Sequence, residues 1–159
     1  MSHYEIERKF LLRNDQWRPL AIEAIPMRQG YLNLEKSCSV RVRISGDQAT
    51  LNIKGATVGA KRLEFEYPIP IDQAHVMLDQ LSCGPLIEKV RYLIPQDHLT
   101  WEIDVFSGDN EGLIVAEIEL SDADEAFSLP DWIGKEVTED TRYYNTCLSR
   151  TPFSTWTTP

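Results

Sequence analysis

The sequence lacks any apolar run of membrane-spanning length, so no transmembrane helix is expected. A secretory leader is not expected either, because Glu5, Glu7, Arg8 and Lys9 interrupt the only place for one. Cysteine is scarce: Cys38, Cys83 and Cys147 are widely spaced, odd in number and form no C-x-x-C pair. His3, His75 and His98 do not cluster with them. This argues against a disulfide framework and a zinc site, and for free thiols in a reducing cytoplasm. A basic excess is also missing. Asp and Glu number 25 against 16 Lys and Arg, a net charge of -9, which argues against a non-specific nucleic-acid binder. A small polyanion stays open, since it responds to a local cluster of cations rather than to total charge.

The 159 residues, 42% of them hydrophobic, suffice for one domain with a core, expected over residues 1–150. The Thr- and Pro-rich residues 151–159 read as a flexible tail. Alternation predicts eight strands: 3–12, 27–34, 38–44, 49–53, 61–69, 86–94, 99–106 and 113–120. Gly30 is a candidate bulge, and Gly46 and Asp47 make a hairpin turn. Asp72 opens the clearest helix, whose apolar residues Ala74, Met77, Leu78 and Leu81 fall at helical spacing before Gly84-Pro85. Asn14 and Asp15 can cap a short turn before Pro19. Short helices are also expected from Ser121 to Ala126 and from Asp140 to Leu148, with a loop over 129–134.

The strands are unusual. Glu5, Glu7 and Lys9 alternate along the first, so one face carries two carboxylates and an ammonium. The same spacing recurs in Arg41 and Arg43, Glu64 and Glu66 (with Arg62), Lys89 and Arg91, Glu102 and Asp104, and Glu117 and Glu119. A flat sheet with that face in water would explain one such pair, each cross-strand contact contributing about a few tenths of a kcal/mol. It explains a charged face on nearly every strand poorly. Closing the sheet turns the charged faces inward. A dry lumen could not hold them, since an unpaired buried ion costs roughly several kcal/mol. A hydrated lumen with metal ions and a polyanion could. Lys9, Arg41, Arg43, Lys54, Arg62, Lys89 and Arg91 then supply cations for phosphate oxygens. Glu5, Glu7, Glu102, Asp104, Glu117 and Glu119 supply hard oxygens for Mg²⁺ or Mn²⁺. Together they suit metal-assisted phosphoryl chemistry.

The opening EIERKF resembles the E-x-E-x-K signature of the CYTH superfamily, the triphosphate tunnel metalloenzymes. The resemblance continues in order through RQGYL, RVRI, NIKG, EFEYPI, EKVRY, WEIDVF, AEIEL and GKEVTEDTRYYN, all but the tail. It implies a mostly β (α+β) fold, a closed eight-stranded antiparallel β-barrel or tunnel with flanking helices. It implies hydrolysis of inorganic triphosphate to diphosphate and phosphate, with Mg²⁺ or Mn²⁺ as cofactor. At matching positions it implies metal ligands Glu5, Glu7, Asp104, Glu117 and Glu119. Lys9, Arg41, Arg43, Lys54, Lys89 and Arg91 would grip phosphates, with Lys9, Lys89 and Arg91 also in the catalytic set. Tyr31 is a candidate proton acceptor, or equally a tyrosine anchoring a strand end. Glu64, Glu66 and Glu102 are supporting tunnel carboxylates; Glu136 reads as structural. Class IV adenylate cyclase and thiamine triphosphatase share the phosphate-gripping residues and stay open. A non-catalytic polyphosphate-binding module is the rival from another class, disfavoured by the retained acids. A barrel for an apolar ligand would need an apolar lumen. A homodimer is conceivable through edges and outer apolar faces; no nucleic acid or membrane partner is expected.

Overall fold

The computed structural model describes residues 4–35 and 37–156. Among them are nine strands: β1 (Tyr4–Leu12), β2 (Glu23–Leu34), β3 (Cys38–Ser45), β4 (Gln48–Gly55), β5 (Lys61–Ile69), β6 (Ile87–Gln96), β7 (Leu99–Phe106), β8 (Ile114–Glu119) and β9 (Ile133–Glu136). Two α-helices accompany them, α1 (Ile71–Leu81) and α2 (Asn145–Leu148). None of the helices is long and apolar enough to cross a membrane.

The strands follow the order β5-β4-β3-β2-β6-β7-β8-β1, and β5 pairs again with β1. That second pairing closes an eight-stranded antiparallel barrel, as expected. Among the described residues the closure is short: Tyr4, Glu5 and Ile6 face Leu63, Arg62 and Lys61. Further along the same edge of β1, β9 takes over at Phe10 and Leu12. A seam therefore lies between β5 and β9.

Charged side chains alternate with apolar ones, and the apolar set points outward, so most of the core lies outside the barrel. Over β1, β6, β7 and β8 it holds Phe10, Ile94, Trp101, Ile103 and Ile118, packed beneath Trp17, Phe127 and Trp132. Over β3 and β4 it holds Val42, Ile44 and Ala49, packed against Ala74 and Leu78 of α1. Gly30 belongs to this outer layer. A Cβ there would stand 2.6 Å from Ser82 Oγ and 2.7 Å from Leu86 Cδ2, so the close approach of the segment after α1 requires glycine. The register shift on β2 falls just beyond it, between Tyr31 and Asn33.

A third cluster lies inside. Ile87, Phe106 and Val115 share the inward parity of the charged residues on β6, β7 and β8, Tyr31 of β2 lines the lumen, and Leu113 and Leu148 of α2 pack with them. Tyr143, Phe153 and Trp156 cover this group, with Phe153 and Trp156 edge to face at 5.1 Å. One end of the barrel is thus plugged with apolar side chains. The segment read as a loose tail packs here as far as Trp156; residues 157–159 lie outside the described residues, as does His3 at the start of the first expected strand.

Other departures have local causes. The short helix expected at 121–126 is a turn, in which Glu125 Oε1 accepts from Ser121 N (2.8 Å) and Oγ (2.7 Å). β9 begins at the end of the loop expected over 129–134 and runs two residues past it; it is only four residues long and pairs with β1 at two positions. β2 begins four residues early, Glu23 to Pro26 pairing with β6. β5 keeps its expected bounds of 61–69 and runs through Pro68, where β4 is its one neighbour among the described residues. The helix expected from Asp140 to Leu148 is broken. Asp140 caps a 3-10 turn (Thr141–Tyr143), Tyr144 is extended (φ −74, ψ 140), and α2 follows.

Candidate active site

Strand register brings the charged faces together. Across β1 and β8, Glu7 stands opposite Glu119 and Lys9 opposite Glu117. Glu102 faces Glu117 across β7 and β8, and Arg91 faces Asp104 across β6 and β7. Tyr31 faces Arg41, Arg41 faces Asn52, and Lys54 faces Glu64. Glu5 faces Arg62 at the short closure. A cavity of about 190 Å³ results, lined by Glu5, Glu7, Lys9, Tyr31, Arg41, Arg43, Lys54, Arg62, Glu64, Glu66, Arg91, Glu102, Glu117 and Glu119. Every site residue singled out in the sequence is there except Lys89 and Asp104.

Those two point inward but lie deeper, between the cavity and the apolar plug, with Lys89 Nζ 5.4 Å from the centre of the Phe106 ring. Asp104 is fully buried and accepts from Lys89 Nζ at 2.6 Å and from Arg91 Nε and Nη2 at 2.8 and 2.9 Å. Burial raises the Asp104 pKa, but Arg91 and Lys89 together outweigh it and hold the carboxyl at about 2. Arg91 also donates to Glu102 at 3.1 Å, so the Asp104 fork aims the guanidinium along the wall.

The cations Lys9, Arg41, Lys54 and Arg91 are buried together with the acids Glu5, Asp104 and Glu117, whereas Glu66 and Glu119 are exposed and Arg43, Arg62, Glu64 and Glu102 half-buried. Most deep cations are paired. Lys54 Nζ lies 2.9 Å from Glu5 and 3.0 Å from Glu64, Arg62 Nε 3.1 Å from Glu5, and Lys9 Nζ 3.1 Å from Glu117 and 3.4 Å from Glu7. Burial raises the Glu5 pKa, and Lys54 and Arg62 overcome it to reach about 2.

Two guanidiniums differ. Arg41, 4% exposed, has its Nε without a partner, and Arg43 donates to Gln29 Oε1 at 3.0 Å. Among the described residues, neither has a carboxylate within ion-pair distance. Burial first, then Arg41 and Arg91, push the Arg43 pKa down. A buried guanidinium beside a half-buried one, neither with a carboxylate at ion-pair distance, suits an anion.

The acids at the mouth show the converse. Burial, then Glu5, Glu102, Glu64 and Glu7, push Glu119 up to about 7. Among the described residues no three His, Cys, Asp or Glu side chains already converge as a metal site. The mutual repulsion of these hard oxygens nonetheless fits a hard divalent cation, which would relieve it.

Several lining residues escaped the sequence reading: Thr57, Gly59 and Ala60 between β4 and β5, and Thr138, Tyr144, Asn145 and Thr146 near α2. None sits on a strand with period-2 charge. The only signal was their place in or beside NIKG and GKEVTEDTRYYN. Glu136, from the latter, lies on the outside and binds Arg8 through both oxygens (2.6 and 2.8 Å). Tyr31 is 4% exposed and joins the apolar plug to the charged lumen, so the anchoring and chemical roles are both compatible with its place.

Residues 3–147 match the CYTH domain. An inorganic triphosphatase of Acetivibrio thermocellus is 47% identical over 149 residues, covering 94% of this chain and 95% of the relative. Another, of Nitrosomonas europaea, is 39% identical over 150 residues, covering 91% and 96%. A crystal structure of an inorganic triphosphatase superposes with a TM-score of 0.64 at 34% identity, over 91% of this chain and 97% of the other. Motif order, closed barrel and full-length relatives agree, and the chain belongs to the CYTH domain family.

Proposed function

We propose that this chain is a metal-dependent triphosphatase that hydrolyses inorganic triphosphate to diphosphate and phosphate. The carrying observation is the pair of Arg41, buried, and Arg43, half-buried, which line the lumen without a carboxylate at ion-pair distance among the described residues. They would bind phosphate oxygens bidentately, and Lys9, Lys54, Arg62 and Arg91 would hold the rest of the chain. The carboxylate-free pair Arg41 and Arg43 would fix where one phosphate sits, and the remaining cations would set the line of the chain.

The fitting cofactor is Mg²⁺ or Mn²⁺, held by Glu5, Glu7, Glu117 and Glu119, which would neutralise phosphate charge and polarise the bond that breaks. Asp104 is assigned the fixing of Arg91 and Lys89, because its oxygens are taken by them. Lys89 then acts through Asp104 rather than on substrate. Arg41, Arg43 and Arg91 would stabilise charge spreading over the equatorial oxygens in the transition state. Glu64, Glu66 and Glu102 would orient the cations. Tyr31 is the group at the wall that would accept the proton of the attacking water, and Lys9, kept charged by Glu117 and Glu7, would position that water. The three free cysteines, two of them exposed, suit work in a reducing cytoplasm.

The test is phosphate release from triphosphate with Mg²⁺ or Mn²⁺, abolished by EDTA. No release above blank with either metal would overturn the assignment. Turnover of ATP and thiamine triphosphate under the same conditions separates a cyclase or thiamine triphosphatase from the proposed activity.

A further inference from the structure

At Lys9, strand β1 has no regular neighbour on its seam edge. Pairing with β5 ends at Ile6 and pairing with β9 begins at Phe10. The Lys9 N–H and C=O would be orphaned there, which a buried backbone does not tolerate cheaply. The segment after β9 fills the gap. Val137 N donates to Lys9 O at 2.8 Å, and Lys9 N donates to the Thr138 hydroxyl at 3.0 Å. That hydroxyl in turn donates to Glu136 Oε2 at 2.5 Å, and Glu136 is anchored by Arg8. Thr138 also accepts, through its backbone oxygen, from Tyr144 Oη at 2.9 Å. The Tyr144 ring then lies 5.8 Å from Lys9 Nζ. One residue therefore secures both the backbone of Lys9 and the aromatic face beside its ammonium.

We infer that Thr138 is a positioning residue for Lys9, holding its backbone through the hydroxyl and its ammonium through Tyr144. The inference rests on the proposed function, in which Lys9 touches the triphosphate. Lys9 has a long flexible stem, so its reach is set by where its Cα is pinned. With Glu7 and Glu117 on one side and Tyr144 on the other, the ammonium has one place to go.

The test compares Thr138→Val, similar in shape but without the hydroxyl, with Thr138→Ser, which keeps it. Thr138→Val should lose about 10–100-fold in kcat/KM, mostly in kcat, and Thr138→Ser should restore most of the loss. Wild-type turnover by folded Thr138→Val, or an equal loss in Thr138→Ser, overturns the inference. If Thr138→Val does not fold, Tyr144→Phe takes its place. It removes only the bond to Thr138 O and should lower kcat at unchanged thermal stability; an unchanged kcat overturns the inference. Calorimetric titration with triphosphate separates the two levels. Should the wild type bind triphosphate without hydrolysing it, the proposed function fails. Weaker binding by Thr138→Val, rescued in Thr138→Ser, still upholds the positioning role, and equal affinities reject it.

Discussion

Glu117 stands directly across from Lys9 on neighbouring strands, its carboxylate 3.1 Å from the ammonium. Both are buried, and both line the cavity. Burial lowers the Lys9 pKa, but Glu117 and Glu7 more than reverse it, so the lysine stays charged across the physiological range.

On the proposed function, Lys9→Ala and Glu117→Ala should each lower kcat by about 10²–10³-fold, since each would remove a charge proposed to act on the transition state. Circular dichroism should show the barrel retained. Near-normal turnover in either variant would remove that residue from the site.

Arg41 and Asp104 should respond in opposite directions. Arg41→Met removes an unpaired buried charge, so the metal-free protein should melt at the same or a higher temperature while triphosphate turnover collapses. Asp104→Ala strands Arg91 and Lys89 and should destabilise by about 3–5 kcal/mol. Thermal melts of both variants beside the wild type check this; a large loss of stability in Arg41→Met would mean that Arg41 is paired after all.

The pH response of the apoprotein should carry the mark of Glu119. Its pKa rises from an ordinary 4.5 to about 7 on folding. The folded state thus holds the extra proton between these values, and its contribution to stability is full below about 4.5 and lost as pH rises through about 7. Glu119→Gln should therefore melt higher than wild type at pH 8 and alike at pH 4. Divalent-metal affinity should rise as pH climbs through about 7, where the proton no longer competes. On the acid side, Glu5, with its pKa depressed from 4.5 to about 2, should cost stability as pH falls across that interval.

The plug offers a purely structural test. Phe153→Ala uncovers the layer of Tyr31, Ile87 and Leu148 and should destabilise by about 1–3 kcal/mol. Denaturant unfolding measures it. No change would mean that Phe153 does not seal that end.

Alternation by itself located the core of the eight barrel strands, because a period of two survives in the sequence wherever one face is charged and the other apolar. It also picked out the lumen: Glu5, Lys9, Arg41, Lys54 and Glu117 could be named from spacing alone. What spacing could not supply is a neighbour's identity. That Arg41 lacks a carboxylate while Arg91 is gripped by Asp104 depends on which strands lie side by side and in what register. The seam between β5 and β9, filled by Thr138, was hidden for the same reason. β9 is too short to show a period, and the hydroxyl that holds Lys9 lies 129 residues away along the chain. Local chemistry determined which side chains face one another's side of the sheet; only closure of the barrel decided which charges meet, because electrostatic pairing depends on distance in space, and that is fixed by the fold.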